Sequence, residues 1–199
     1  MRVISGEFKG RKLISPKGTD VRPTADRVKE AIFSMVWPDL PGAHCLDLFA
    51  GSGALGIEAL SRGASRVVFC DASPSSLAAL RQNLETCRID GQRAVVIARS
   101  WRAAAAIMNE KCNLVFIDAP YNMWEHYSQI LECLMDEGVL EEGALIVIER
   151  AARAGGYSLP AGFAKIREKR YGSVGVDLLV YTGRGQDDEK GENTLRGHV

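Results

Sequence analysis

Three acids in this sequence stand where apolar runs end: Asp47 in CLDLFAGSGALG, Asp71 in VVFCDASP and Asp118 in LVFIDAPY. After the first, Gly51, Gly53 and Gly56 spell G-x-G-x-x-G, a turn that carries a strand into a helix and sets the helix N-terminus against a nucleotide-like ligand. The flanking residues narrow the ligand. Ile57 and Glu58 follow Gly56 where a phosphate-binding ATPase loop needs Lys and Ser or Thr. Asp47, four residues before Gly51, would repel a pyrophosphate resting on that helix. The same carboxylate suits a ligand that carries an ammonium group and no phosphate, and S-adenosylmethionine is such a ligand. Asp71, twenty residues after Gly51, is placed to accept both hydroxyls of its ribose.

The second motif is Asp118-Ala119-Pro120-Tyr121. In a doubly wound sheet it leaves the sheet beside the glycine loop and faces the reactive end of the ligand. Methylation of an exocyclic amine needs the nitrogen lone pair drawn out of the base and aimed at the methyl donor. The Asp118 carboxylate and the Ala119 carbonyl supply two acceptors for the amine N–H groups, Pro120 stiffens the turn, and Tyr121 offers a ring on which a flipped-out base stacks. Proximity and orientation, worth roughly 7–11 kcal/mol, would carry most of the rate.

These loops need a parallel sheet to hold them. From residue 43 short β-rich runs alternate with helical ones, and strands are expected at His44–Leu48, Arg66–Cys70, Ala94–Ala98, Leu114–Ile117 and Ala144–Ile148. Ser73-Pro74 reads as a helix start, and Gly63, Gly91 and Gly138 as helix ends. KIREKRY and VDLLVYT face each other across residues 172–175 as an antiparallel hairpin at the sheet edge. Upstream, RVISGEFKGRKLISP resembles a two-stranded ribbon and Asp26 to Val36 an amphipathic helix. The expected organisation is an N-terminal extension over 1–42, a catalytic domain over 43–183 and a polar, disordered tail over 184–199.

With 199 residues, 46% of them hydrophobic, the chain supports one domain with a sizeable core. Its 25 basic residues balance its 25 acids, but residues 1–30 hold eight basic side chains against four acids. Five widely spaced cysteines without C-x-x-C read as reduced core residues of a cytoplasmic protein, not a zinc site. No stretch reads as a signal peptide or membrane span. His44, His126 and His198 form no ligand cluster, and Trp37, Trp101 and Trp124 read as packing residues.

DLFAGSGALG, a later acidic strand end and an Asp-Pro-Pro-Tyr-like tetrapeptide together resemble the class I S-adenosylmethionine-dependent amino-methyltransferases. RVISGEFKGRKL followed by RPTADRVKEAIF is similar to the leader of the bacterial family that methylates guanine N2 in 16S ribosomal RNA, and the similarity covers about residues 2 to 182. The resemblance implies a Rossmann-like α/β fold with a seven-stranded, mostly parallel sheet and helices on both faces. It implies S-adenosylmethionine as cofactor and a small-subunit assembly particle as substrate; no metal and a monomeric state are expected. The implied cofactor set is Asp47, Phe49, Gly51, Gly53, Asp71, Ala72 and Ser100, and the implied catalytic set is Asp118, Ala119, Pro120 and Tyr121. Lys9, Arg11, Lys12, Arg22 and Arg27 are expected to grip RNA phosphates. Arg22 and Arg27 have a structural alternative in Asp26 and Glu30. Two departures stand out: Ala119 replaces the family's second proline, and Arg99 stands where an Asp or Asn often meets the adenine amine, leaving that contact to Ser100 or to backbone. Competing readings are an amino-methyltransferase for DNA adenine or cytosine or for protein glutamine, an oxidoreductase, and a non-catalytic RNA-binding assembly factor.

Overall fold

The computed structural model describes residues 1–16, 24–153 and 156–184. The elements run α1 (Thr24–Met35), β1 (His44–Asp47), α2 (Ala54–Ser61), β2 (Arg66–Cys70), α3 (Pro74–Cys87), β3 (Ala94–Ile97), α4 (Trp101–Ala105), β4 (Cys112–Ile117), α5 (Tyr127–Asp136), β5 (Leu140–Ala151), β6 (Phe163–Tyr171) and β7 (Val174–Tyr181). They build one seven-stranded sheet in the order β3-β2-β1-β4-β5-β7-β6. β1 to β5 pair in parallel, and β7 runs antiparallel to both β5 and β6. This is the Rossmann-like class I sheet, mostly parallel with an antiparallel edge hairpin. Among the described residues no helix is long and apolar enough to cross a membrane.

The reversal of strand order around β1 and β4 opens the crevice where an α/β sheet takes its ligand. Apolar side chains cover both faces. One layer joins Val3, Phe8, Ile32 and Phe33 to Phe69, Phe116 and Val176, with the Phe33 and Phe116 rings 5.6 Å apart. The other packs Ile130, Leu131 and Leu134 of α5 on Val115, Ile117, Ile146 and Leu179. The five cysteines are free, four of them buried.

Several element ends differ from the sequence reading. β5 begins at Leu140, four residues early, because its pairing with β4 skips from Cys112↔Leu140 to Leu114↔Leu145 and Gly143 takes φ 84 in the irregularity. Helix α3 ends at Arg88, a non-glycine residue at φ 54 whose N–H meets the Glu85 and Leu84 carbonyls, so Gly91 is not its cap. The hairpin turn is tighter than expected, since Val174 and Gly175 already belong to β7. Trp37 is 55% exposed and does not pack as expected.

The N-terminal ribbon is bridged at Arg2↔Lys12 and lies along α2 and α3, inside the main core. Its ties are specific. Glu58 of α2, fully buried, accepts the N–H groups of Ile4 and Ser5 at 2.9 and 3.0 Å and pairs with Lys29 and Arg62 at 2.9 and 2.7 Å. Ser61 accepts from Glu7 and Phe8, and a Cβ on Gly6 would meet the Ser61 carbonyl at 1.7 Å. The polar tail at 185–199 lies outside the described residues.

Candidate active site

The glycine loop takes its shape from three different constraints. Gly51 and Gly53 sit at φ 54 and 80, where a side chain is strained. Gly56 has to lack a Cβ, because that atom would lie 2.3 Å from the Phe69 ring, so the third glycine sets the packing of α2 on β2. The loop is then held by side chains. Asp71 receives the Gly51 N–H on one oxygen and the Ser73 N–H on the other, both at 2.8 Å. Asp47, 1% exposed beneath the loop, accepts the Gly56 N–H at 2.9 Å. Asn83 of α3 donates to the Ser52 carbonyl at 2.8 Å and exchanges two hydrogen bonds with the backbone of Ile14, joining the loop to the ribbon.

A cavity of about 910 Å³ opens above these residues. Among the described residues its walls carry four carboxylates, Asp47, Asp71, Asp118 and Glu149, and one basic side chain, that of Arg99. Asp71 and Asp118 follow β2 and β4, Asp47 ends β1 and Glu149 lies near the end of β5, on neighbouring strands in the order β2-β1-β4-β5. Strand register explains the alignment: Phe69, Asp47, Phe116 and Val147 share one row, and two residues further on each of β2, β4 and β5 comes Asp71, Asp118 and Glu149. Side chains two apart on a strand point to the same face. Phe49, Ala72, Ser100, Trp101 and Met123 complete the walls, along with Met1, Ser15 and Pro16 from the two ends of the ribbon.

Crowded carboxylates in a concave site titrate late. Burial pushes Asp47 up to about 7, with the Gly56 N–H opposing and Asp118 and Asp71 adding repulsion. Asp118 is open to the cavity, yet protein atoms around the cavity floor displace much of its water, and that desolvation raises it to about 6. Ala119 is buried, and the exposed Pro120 accepts the Met123 N–H at 2.8 Å, starting a short 3-10 turn over Tyr121–His126. The Tyr121 side chain lies outside the described residues.

The chain matches the family model described as Conserved hypothetical protein 95 over residues 1–180. It is similar to Ribosomal RNA small subunit methyltransferase D of Escherichia coli (strain K12), 36% identical over 190 residues that cover 94% of this chain and 93% of the relative. The same-named protein of Haemophilus influenzae is 33% identical over 183 residues, covering 89% and 92%. The chain belongs to this ribosomal RNA methyltransferase family. Among solved structures, that of yhhF from Escherichia coli is 34% identical, covers 92% of this chain and 99% of its own, and superposes with a TM-score of 0.81.

Measured against what the family resemblance implied, the structure gathers Asp47, Phe49, Gly51, Asp71, Ala72 and Ser100 around the cavity with Asp118, Ala119 and Pro120. Gly53 lies behind, packed toward Leu80. Ser100 stands at the N-terminus of α4 with no side-chain capping bond, and Arg99 is exposed at the wall. None of the described members of the basic set lines the cavity. Lys9, Arg11 and Lys12 are exposed, but the ribbon's turn is held at the C-terminal end of α2, on the sheet edge opposite the cavity. Arg27 is exposed on α1, Asp26 pairs with Arg2, and Arg22 lies outside the described residues. Sequence reasoning missed Glu149 and Asn83. Glu149 carried a readable signal, since LIVIE repeats the apolar-run-then-acid pattern of VVFCD and LVFID. Asn83 carried none, because its partners lie 31 and 69 residues away. Among the described residues no group of His, Cys, Asp and Glu is arranged to hold a metal.

Proposed function

We propose that this protein methylates the exocyclic N2 of a guanine in 16S ribosomal RNA, using S-adenosylmethionine, on a small-subunit assembly particle. The observation that carries the reading is the acidic cavity at the strand ends, with Asp118-Ala119-Pro120 at its floor. Family membership supports ribosomal RNA as the substrate, and cavity chemistry supports the cofactor. Among the described residues, four carboxylates outnumber the Arg99 guanidinium and favour a cationic ligand over a dinucleotide's pyrophosphate.

The residues present fit that cofactor. Asp71 keeps a lone pair on each oxygen after its two backbone bonds, enough to accept two ribose hydroxyls. Asp47 has one oxygen on Gly56 and borders the cavity, where its charge favours an ammonium group. Phe49, Ala72 and Trp101 offer apolar surface to a purine, and Ser100 a hydroxyl. When bound, the cofactor supplies an electrophilic methyl group on a sulfonium.

The chain's own part is orientation. Asp118 and the Ala119 carbonyl accept the two N–H bonds of the guanine amine, which localises the nitrogen lone pair and fixes its direction. Pro120 and the turn after it hold that carbonyl in place, and Tyr121 stacks on the base. The surplus proton on the methylated nitrogen passes to Asp118 or to water. Lys9, Arg11, Lys12, Arg22 and Arg27 meet RNA phosphates, as basic residues do on extended RNA. The test is Asp118→Asn, which keeps the size and removes one strong acceptor. Turnover is expected to fall by about 100-fold or more with the Kd for S-adenosylmethionine little changed; turnover at the parent rate would contradict the assignment.

A further inference from the structure

Among the described residues of the cavity, Glu149 is an acid with no part in holding the cofactor or the amine. It follows Ile148 on β5, which pairs in parallel with Ile117, so the same register sets Glu149 beside Asp118, about 4.8 Å away strand to strand. Both face the side of the sheet that Val147 and Phe116 face, and both line the cavity. The next residue, Arg150, turns to the opposite face, where Asp177 takes its guanidinium at 2.9 and 3.1 Å and Glu168 at 2.9 Å. The backbone at Glu149 is fixed, because the fully buried Tyr127 donates its hydroxyl to the Glu149 carbonyl at 3.0 Å. A positioned carboxylate therefore stands one strand from the amine-binding group.

The amine-bearing bases differ at that second position. On its Watson–Crick edge guanine presents its amine and, next to it, N1–H, two donors side by side. Adenine and cytosine present an amine next to a bare ring nitrogen, which is an acceptor. A carboxylate beside Asp118 accepts N1–H and repels an unprotonated ring nitrogen. We infer that Glu149 is the residue that selects guanine, accepting the N1–H of the base whose amine Asp118 and Ala119 hold. This rests on the guanine-N2 reading above and adds to it a specificity determinant.

The test compares kcat/KM for guanine with that for 2-aminopurine, placed by splint ligation at the methylated position of 16S RNA once that position is mapped. 2-Aminopurine keeps the 2-amino group but has a bare N1. The parent enzyme is expected to favour guanine by about 100-fold or more, because a positioned acceptor would be left facing an acceptor. Glu149→Gln carries an N–H₂ that donates to a bare N1, so the preference should shrink by about tenfold or more. A residue that only supports the fold would slow both substrates alike and leave the ratio where it was. An unmoved ratio in Glu149→Gln overturns the inference. So does a parent enzyme that accepts 2-aminopurine as readily as guanine, with no variant needed. If the parent places no methyl on guanine N2 at all, it is the functional reading beneath it that falls.

Discussion

Asp47 and Asp118 have the same side chain, and their surroundings give them different work. Asp47 lies under the glycine loop, with one oxygen fixed on Gly56, and burial raises it to about 7; Asp118 opens onto the cavity and desolvation raises it to about 6. In the folded protein both acids hold protons at pH values where they have lost them in the unfolded chain. Between about pH 4 and 7 the native state thus binds more protons, so their contribution to stability is present at low pH and is lost as pH rises through the folded values. A cationic ligand reverses the preference by favouring the ionised carboxylates. Affinity for S-adenosylmethionine is expected to strengthen as pH rises from about 5 to about 7.5, below the range where an α-amino group loses its proton. Calorimetric titration across that range checks it, and Asp47→Asn should flatten the profile. A flat profile in the parent would show that these carboxylates do not face the ligand's charge.

At the scale of elements, the strand–loop–helix unit depends on contact distances that tolerate no added carbon. Gly56→Ala puts a methyl within 2.3–2.8 Å of Phe69 and Val67, and its cost should be about 1–3 kcal/mol of stability, read from denaturant unfolding. A variant as stable as the parent would mean that α2 shifts freely on β2. Elements of this kind were legible in the sequence, because β-branched runs ending in an acid and a glycine turn are local patterns. Strand β2 falls where the sequence placed it, and β1, β3 and β4 within two residues at each end. The features that escaped depend on distant partners. Arg88 caps α3 although Gly91 is the better local candidate, because the chain turns immediately to bring Ala94 beside Val67 on β2. Glu149 needed the β4–β5 register to reveal its neighbour.

For the whole molecule, the ribbon acts as a strap across the back of the catalytic sheet. Its turn rests at the amino edge on Ser61, while Met1, Ser15 and Pro16 at its ends border the cavity. The link between the two is polar and buried: Glu58 holds Ile4, Ser5, Lys29 and Arg62, and Asn83 holds Ile14 and Ser52. In the sequence, Glu58 and Asn83 look like ordinary solvated helix residues, and this is why residues 1–42 read as an extension. Removing one partner of a buried ion pair strands the other, at about 3–5 kcal/mol. Glu58→Ala should therefore lower stability by about that amount and expose the ribbon to limited proteolysis. A loss under about 1 kcal/mol, the size of a surface pair, would contradict the strap.

The most direct measurement is methyl transfer from labelled S-adenosylmethionine to small ribosomal subunits that lack their native modifications, followed by nucleoside analysis. Label is expected to be recovered as N2-methylguanosine in 16S RNA. Label on another nucleoside, on protein, or nowhere despite cofactor binding would contradict it.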